Sequence, residues 1–306
     1  MAERPAEPST ASIEEAHAAL EVFTSRTAVV GSFTVRRALP RPGHSTVGAW
    51  CFADHMGPAT VTVGEGLDVG PHPHMGLQTV TWLIHGEGLH RDSLGSEQLL
   101  TPGQLNLMTA GTGVSHSEEA TGRYAGTLAG IQLWIAQPEA TRHEPAAFEH
   151  HSELPRLDLT DATATVLLGA LDGVESPARR DSELLGADLS LRATTVVPLD
   201  PSFEHGLIVL EGAIRVDEHL LIPGHLGYLG IGRDQLVLET TERARVILLG
   251  GAPFDERIEM WWNFVGRSQA ELGDAYRSWR TDDGRFGMVA SPLNRIAAPT
   301  PTWLRP

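Results

Sequence analysis

Short apolar runs, separated by glycine, proline, asparagine or aspartate, follow one another through most of this chain and restrict its fold more than any other feature. The runs are rich in Thr, Val, Trp and Ile, which favours strands, and the glycines between them favour tight turns. The predicted strands are Thr60–Val63, Val80–Ile84, Gln104–Met108, Leu128–Ile135, Thr165–Leu168, Ser190–Val197, Leu207–Leu210, Ala213–Val216, Gln235–Glu239 and Arg245–Leu249. Many short strands at close spacing predict an all-β chain that forms a sandwich or a barrel.

Two blocks of this pattern resemble each other. Leu67-Asp68, followed by His72 and an apolar run, has a counterpart in Leu199-Asp200, followed by His205 and a similar run. Further along each block, a Pro-Gly pair recurs, at 102–103 and at 223–224. The repetition predicts a duplicated barrel.

The chain is therefore divided into three parts. We expect an N-terminal extension over residues 1–25, a first barrel over 26–147 and a second barrel over 148–306. The stretch 138–160, rich in Pro, Glu and His, serves as the connector between the barrels. The tail of the last part is expected to pack back on the first domain.

Two capping boxes predict the helices. Ser12 with Glu15 predicts a short helix in the extension, which ends at about Phe23. Ser268 with Glu271 predicts a second helix, over Ser268–Arg280.

Charge and cysteine content limit the possible partners. The chain has 23 Lys and Arg against 39 Asp and Glu, a net charge of −16, and it contains no Lys/Arg run. Direct binding to nucleic acid or to an anionic membrane is therefore not expected. The single cysteine, Cys51, cannot form an internal disulfide, which fits a reducing compartment. Because no apolar signal segment or bilayer-length run is visible, we expect a soluble, cytoplasmic protein.

Two short stretches carry the chemistry. In a strand, residues i and i+2 point to the same face, so His72 and His74 present two imidazoles together, and His116 and Glu118 present an imidazole and a carboxylate. If the two strands are neighbours, three nitrogens and one oxygen converge on a site for a divalent transition metal. A His-x-His pair by itself is weak evidence, because such pairs also occur on wet strand faces without a ligand.

The context of these histidines strengthens the prediction. Gly66 precedes His72 by six residues, and Pro102-Gly103 precedes His116, an arrangement that resembles the paired motifs of cupins. In cupins these motifs lie on adjacent strands of a small jelly-roll barrel, with the metal inside. The usual cupin glutamate follows the histidine pair by three or four residues. Here that position is Gln78, and Glu118 is the alternative fourth ligand.

Longer strings resemble the pirin family from about Val35 to Trp279. They are His72-Pro-His74-Met-Gly-Leu-Gln78-Thr79-Val80-Thr81, Gly86-Glu87-Gly-Leu-His90-Arg91-Asp92-Ser93-Leu-Gly95, Met108-Thr109-Ala110-Gly111, His116-Ser-Glu118, Val35-Arg36-Arg37-Ala38-Leu39-Pro40, Asp54-His55-Met56-Gly57-Pro58 and Met260-Trp-Trp262-Asn263-Phe264-Val265. Two positions depart from the family pattern. Gln78 stands where pirins often have Glu, and Leu107 stands where an aromatic residue is frequent.

The resemblance implies a fold and a metal site. The fold would be a bicupin, that is, two jelly-roll β-barrels with short helices, of which only the N-terminal barrel binds metal. The metal ligands would be His72, His74, His116 and Glu118. One ion per chain is expected, with Fe(II) preferred and Mn, Co, Ni, Cu or Zn as alternatives. His90 would lie near the barrel mouth, either supporting the site or serving loop structure.

The resemblance leaves two functions open. The first is a metal-dependent dioxygenase that oxidises a small aromatic substrate, a flavonol such as quercetin, with O₂, and in which Glu118 is the catalytic base. The second is a metal- or redox-responsive regulatory protein that binds a protein partner without turnover. Another cupin reaction, on a small acid or sugar, is a weaker third. A deep apolar cavity beside the metal would favour an enzyme.

Overall fold

Antiparallel strands dominate the computed structural model of the chain, which describes residues 19–304. Up to residue 151 the strands are β1 (Glu21–Thr24), β2 (Arg26–Val30), β3 (Phe33–Leu39), β4 (Trp50–Val61), β5 (Val69–His74), β6 (Leu77–His85), β7 (Gly88–Asp92), β8 (Glu97–Leu100), β9 (Leu105–Thr109), β10 (Val114–Glu119), β11 (Gly126–Ala136) and β12 (Ala147–His151). The remaining strands are β13 (Arg156–Leu159), β14 (Ala162–Leu171), β15 (Val174–Glu175), β16 (Leu184–Leu191), β17 (Thr195–Pro198), β18 (Glu204–Glu211), β19 (Ile214–Val216), β20 (His219–Leu221), β21 (His225–Gly230), β22 (Gln235–Leu238), β23 (Ala244–Gly251), β24 (Glu259–Trp261) and β25 (Phe264–Gly266). One helix, α1 (Gln269–Thr281), and a 3-10 turn (Thr302–Leu304) complete the described elements.

The strands form two barrels, which confirms the predicted all-β class. The first barrel combines a seven-stranded sheet, in the order β12-β9-β6-β11-β4-β3-β2, with a four-stranded sheet, β5-β10-β7-β8. The second is built on an eight-stranded sheet, β1-β21-β18-β23-β16-β14-β13 with β15 beside β14, and on the pairs β17-β22 and β19-β20. No helix among residues 19–304 is long and apolar enough to cross a membrane.

The barrels pack against each other through their large sheets. Strand β18 shows how the sequence achieves this. Leu207 and Val209 point into the second barrel's own core, whereas Ile208 and Leu210 belong to the core between the barrels. Both faces of the strand are buried, so its sequence is apolar throughout and not alternating. The burial of apolar surface on both faces is the main source of stability for such a strand.

Two tryptophans of the first barrel donate hydrogen bonds across this interface. The indole Nε1 of Trp50 donates to the carbonyl oxygens of Leu185 and Gly250, at 3.0 and 3.1 Å. The indole Nε1 of Trp82 donates to Asp188 Oδ2 at 2.8 Å. Buried polar groups on both sides are thereby satisfied, which fixes how the two sheets face each other.

The predicted helix of the N-terminal extension is wrong where the structure describes it. Its first part, residues 12–18, lies outside the described residues. Its last part forms β1, which pairs with β21 at the edge of the second barrel's sheet. Val22 packs on the second barrel's core and Phe23 on the core between the barrels, which is the two-residue alternation of a strand. An unpaired sheet edge thus overrides a local helix signal.

Two other expectations need adjustment. The predicted strand Ser190–Val197 is interrupted, because β16 ends at Leu191 and β17 begins at Thr195. Strand β12 extends to His151 and pairs with β9, so the first barrel's sheet passes the boundary placed at residue 147. By contrast, the helix predicted from Ser268 is confirmed, since the Ser268 side chain accepts a hydrogen bond from the Glu271 backbone N–H.

The tail after β23 lies against the strands that carry the candidate metal ligands. The hairpin β24–β25 reaches the end of β5, and the backbone N–H of Val265 donates to the carbonyl of Met75, the residue that follows β5, at 3.0 Å. Further on, the N–H of Ile296 donates to the Pro71 carbonyl at 2.8 Å. The hydroxyl of Ser115 on β10 donates to the Phe286 carbonyl at 2.9 Å. The edge of the four-stranded sheet is therefore covered by the chain's last segment.

Replacing Gly48 with alanine is expected to destabilise the junction of the two barrels. Gly48 has φ +51°, and a Cβ there would lie 2.6 Å from the Cα of Gly251 in the second barrel. The strained backbone and the close contact together should lower the free energy of unfolding by about 3 kcal/mol or more. Gly43, with φ +83° and open space around it, is the matched control, and its alanine variant should lose only about 1 kcal/mol. Urea unfolding of both variants checks this, and equal losses would contradict the interface argument.

Candidate metal centre

Three histidines converge in the first barrel. Strands β5 and β10 are antiparallel neighbours, and His72 and His116 are directly paired in the register. The Nε2 atoms of His74 and His116 are 3.1 Å apart, and one ring nitrogen from each of the three histidines lies within 4.8 Å of the others. Among residues 19–304 this is the one group of His, Cys, Asp or Glu side chains with metal-ligand spacing. The structure therefore places the predicted histidines together.

Hydrogen bonds fix the orientation of two of the imidazoles. Nδ1 of His72 lies 2.9 Å from the Gly70 carbonyl, and Nδ1 of His74 lies 3.2 Å from the Asn263 carbonyl. A carbonyl can only accept, so both rings carry their proton on Nδ1. The Nε2 lone pairs are then left for the centre of the site, as in metal-binding histidines generally.

Burial keeps the three imidazoles neutral. It lowers the pKa of His72 to about 4, and it lowers the pKa of His74 and His116 well below the ordinary value, with repulsion from the neighbouring histidines as a further cause. Neutral imidazoles are the form that coordinates a metal. Three neutral nitrogen donors in a buried cluster fit a divalent transition metal.

Glu118 lies on the same strand as His116, beyond a break in the register between them. Its carboxylate is buried, and its Oε1 accepts a hydrogen bond of 2.9 Å from the Thr81 hydroxyl. Burial raises the pKa of this carboxyl. Glu118 does not belong to the close group of ring nitrogens in the described chain, although it lines the same cavity. Its role as fourth ligand stays a prediction.

A cavity of about 560 Å³ opens beside the histidines. The four predicted ligands line it, together with apolar and aromatic side chains that include Phe33, Phe52, Met56, Trp134, Met260 and Trp262. Phe52 and Trp134 stack at 3.9 Å, and Trp134 meets the His74 ring edge-on at 5.1 Å. The volume lies in the range of small-molecule sites.

An ion pair forms part of the cavity wall. The Arg37 guanidinium donates two hydrogen bonds to the Asp54 carboxylate, at 2.8 and 2.7 Å, and lies over the Phe52 ring at 4.5 Å. The pairing holds Arg37 in place, so its planar group supports the aromatic wall.

Sequence reasoning missed the part of the site that the tail supplies. Trp262 and Asn263 line the cavity, and the Asn263 carbonyl accepts a hydrogen bond from His74, yet neither residue was predicted to belong to the site. The available signal was the Met-Trp-Trp-Asn-Phe string itself. Nothing in its local pattern showed which surface it would cover.

The two departures from the family pattern do not line the cavity. The Gln78 amide is buried and donates to the Thr109 hydroxyl at 3.0 Å. Leu107 is fully buried in the core between the barrels. Leu107 therefore does not shape the cavity wall, because its side chain points to the opposite face of its sheet.

The free energy of unfolding of the metal-free chain is expected to fall as the pH is lowered from about 7 to 4. Burial lowers the pKa of His72 and of His205, in the second barrel, to about 4, whereas histidine in an unfolded chain titrates near 6.5. Between these values the unfolded chain binds more protons, so stability is lost on acidification. Each of these two histidines is expected to lower the free energy of unfolding by roughly 3 kcal/mol once the pH is below 4. Urea unfolding at pH 7, 6 and 5 checks this. The His205→Leu variant should lose less across that range than the wild type, and an identical loss would refute the assignment.

The chain is similar in sequence to known protein families and to individual proteins. Residues 32–135 match the family described as Pirin, and residues 185–287 match the one described as Pirin C-terminal cupin domain. A Pseudomonas aeruginosa protein, provisionally named quercetin 2,3-dioxygenase, is 49% identical over 290 residues, covering 93% of this chain and 91% of the relative. A pirin-like protein of Caulobacter vibrioides is 35% identical over 85% of this chain and 92% of its own length.

A solved structure is similar to this chain over both of the matched domains. The crystal structure of a quercetin 2,3-dioxygenase from Acinetobacter baumannii aligns with a TM-score of 0.90 and 41% identity, over 94% of this chain and 97% of that one. The predicted bicupin fold is thereby confirmed. With two matching domains and relatives that span nearly its full length, the chain belongs to the pirin family.

Proposed function

We propose that this pirin is a metal-dependent dioxygenase that opens a flavonol such as quercetin with O₂. The observation that carries the proposal is the three-imidazole cluster in the wall of an aromatic cavity, with a buried carboxylate beside it. The names of the relatives from Pseudomonas aeruginosa and Acinetobacter baumannii support the same substrate class.

The metal would be held by His72, His74 and His116, with Glu118 as the fourth ligand. The donor set fits such an ion, because the rings are neutral and two of them hold their protons on the outer nitrogen. Three neutral imidazoles and one carboxylate suit Fe(II), with Mn, Co, Ni, Cu and Zn as alternatives. When bound, the ion supplies Lewis acidity at the substrate's 3-hydroxyl and a template for the reactants.

The remaining chemistry belongs to the chain's own residues. The Thr81 hydroxyl donates to Oε1 of Glu118 and so orients the carboxylate that would bind the ion and accept the proton of the substrate hydroxyl. The stacked pair of Phe52 and Trp134 offers a flat apolar wall to a planar ring system and excludes water from it.

The same centre would also suit a metal-responsive regulatory protein that binds a partner without turnover. Such a protein needs a surface whose affinity for the partner changes with the state of the metal, but it needs no cavity for an organic molecule. The volume and aromatic walls of the cavity therefore favour the enzyme.

Anaerobic purification, loading with Fe(II), Mn(II), Co(II) or Ni(II), and measurement of quercetin-dependent O₂ uptake test the proposal. We expect O₂ uptake with CO release in at least one loaded form. A fully loaded protein that consumes no O₂ with any flavonol would favour the regulatory function.

A further inference from the structure

A fourth histidine lies directly behind the metal cluster. His90 is a buried residue, 2% exposed, on β7, next to β10. Its Nδ1 is 3.4 Å from Nδ1 of His116, which is the ring nitrogen of His116 that faces away from the cluster. On its other side the His90 ring stacks on Phe148, with centroids 4.4 Å apart and planes inclined by 15°. This packing holds the ring in one orientation.

Asp92 anchors the far edge of the His90 ring. Its Oδ2 lies 3.3 Å from Nε2 of His90, and its Oδ1 accepts the backbone N–H groups of Leu94 and Ser96, both at 2.9 Å. Burial by itself raises the pKa of Asp92, but the hydrogen bonds from His90 and Ser96 outweigh it, and the pKa is lowered. Both oxygens of Asp92 act as acceptors, Oδ1 toward the two backbone N–H groups and Oδ2 toward the His90 ring, and a carboxylate has no proton to donate.

The position of each proton follows from this anchor. Because Asp92 only accepts, Nε2 of His90 is the ring nitrogen that donates to it, and a ring with its single proton there presents a lone pair at Nδ1. That lone pair faces Nδ1 of His116, which must then carry the proton of its own ring. The Nε2 atom of His116 is left with a lone pair directed at the cluster.

His116 differs from the other two ligands in how its ring is controlled. The acceptors for His72 and His74 are backbone carbonyls, which no substitution removes. The acceptor for His116 is the side chain of His90, and His90 is in turn hydrogen-bonded to the side chain of Asp92. The protonation pattern of this one ligand is therefore encoded by residue identity at positions 90 and 92.

We propose that His90, oriented by Asp92, is the positioning residue that sets the tautomer of His116 and so prepares the third nitrogen ligand. The inference rests on the proposed metal site and is independent of flavonol turnover.

Two variants separate this role from packing. His90→Phe keeps a flat ring on Phe148 and removes the acceptor. Asp92→Asn keeps an oxygen for the Leu94 and Ser96 amides and turns an NH₂ toward His90, which forces the His90 proton onto Nδ1, against the N–H of His116. His205→Phe, a buried histidine of the second barrel, is the matched control.

Competition of each protein with a chelator for Co²⁺ gives the dissociation constant. We expect binding to weaken about 10- to 100-fold in His90→Phe and in Asp92→Asn, the usual range for partners of metal-bound histidines, and to stay unchanged in His205→Phe. Long-range ¹H–¹⁵N correlation spectra of the metal-free wild type should show His90 protonated on Nε2 and His116 on Nδ1. This measurement needs no variant to fold.

The outcomes are distinct. A wild type that binds no Co²⁺ overturns the metal site and this inference together. If the wild type binds Co²⁺ but His90→Phe binds it equally tightly, the inference alone is overturned. The same holds if the wild type carries the His90 proton on Nδ1. Metal binding and tautomers as expected, without O₂ uptake on any flavonol, leave the inference in place and overturn the proposed function.

Discussion

The double substitution His72→Ala with His74→Ala is expected to abolish metal binding. The two residues supply two of the three ring nitrogens that lie within 4.8 Å of one another. Losing a hydrogen-bond partner of a ligand commonly costs roughly 10- to 100-fold in affinity, and losing two ligands outright must cost far more. One imidazole and one carboxylate do not hold an exchangeable divalent ion. Elemental analysis after loading and desalting should give one ion per wild-type chain and none for the variant.

A matched control distinguishes ligand loss from general damage. His150 and His151 are also two histidines on a strand of the first barrel, but they bond to Asn106 and Glu149 and do not line the cavity. Replacing both with alanine should leave one ion per chain. Full occupancy in the His72/His74 variant, or two ions in the wild type, would contradict the assigned site.

Glu118→Gln is expected to reduce flavonol-dependent O₂ uptake by about 10²- to 10⁴-fold while most of the metal is retained. The three imidazoles remain to hold the ion. The amide, however, cannot take the substrate's proton at neutral pH, and it does not supply the negative charge of the ligand set. Thr81 can still donate to the amide oxygen, so the side chain should keep its position. Metal content and O₂ uptake are measured on the same preparation.

Glu119→Gln provides the control for this second experiment. Glu119 is the next residue on β10 and is also buried, but it bonds to Ser117 and Arg91 and does not line the cavity. Its variant should keep wild-type turnover per bound metal. A metal-loaded Glu118→Gln protein as active as the wild type would retain the enzyme and remove Glu118 as its base.

Local features of the sequence were sufficient for much of the fold and for the three histidines. The two-residue period of a strand places His72 and His74 on one face wherever the strand lies, and a capping box begins a helix at Ser268 for reasons contained within four residues. The similarity between the two blocks likewise indicated two barrels before any contact was known. The strand period and the helix start were predictable because the interactions behind them span only a few residues, whereas the second barrel was indicated by repetition along the chain.

Other features depend on which distant segment covers a given strand. The proton of His74 is fixed by the carbonyl of Asn263, 189 residues further along the chain. Trp262 lines the cavity, whereas Leu107 faces the second barrel, although neither side chain's local pattern distinguishes those surroundings. Residues 21–24 form a strand because an edge of the second barrel was open to them. The sequence determined the period and hence the faces of each strand. Only tertiary packing determined what each face met, because hydrogen bonds and apolar burial between distant segments exceed local preferences that are worth a few tenths of a kcal/mol per residue.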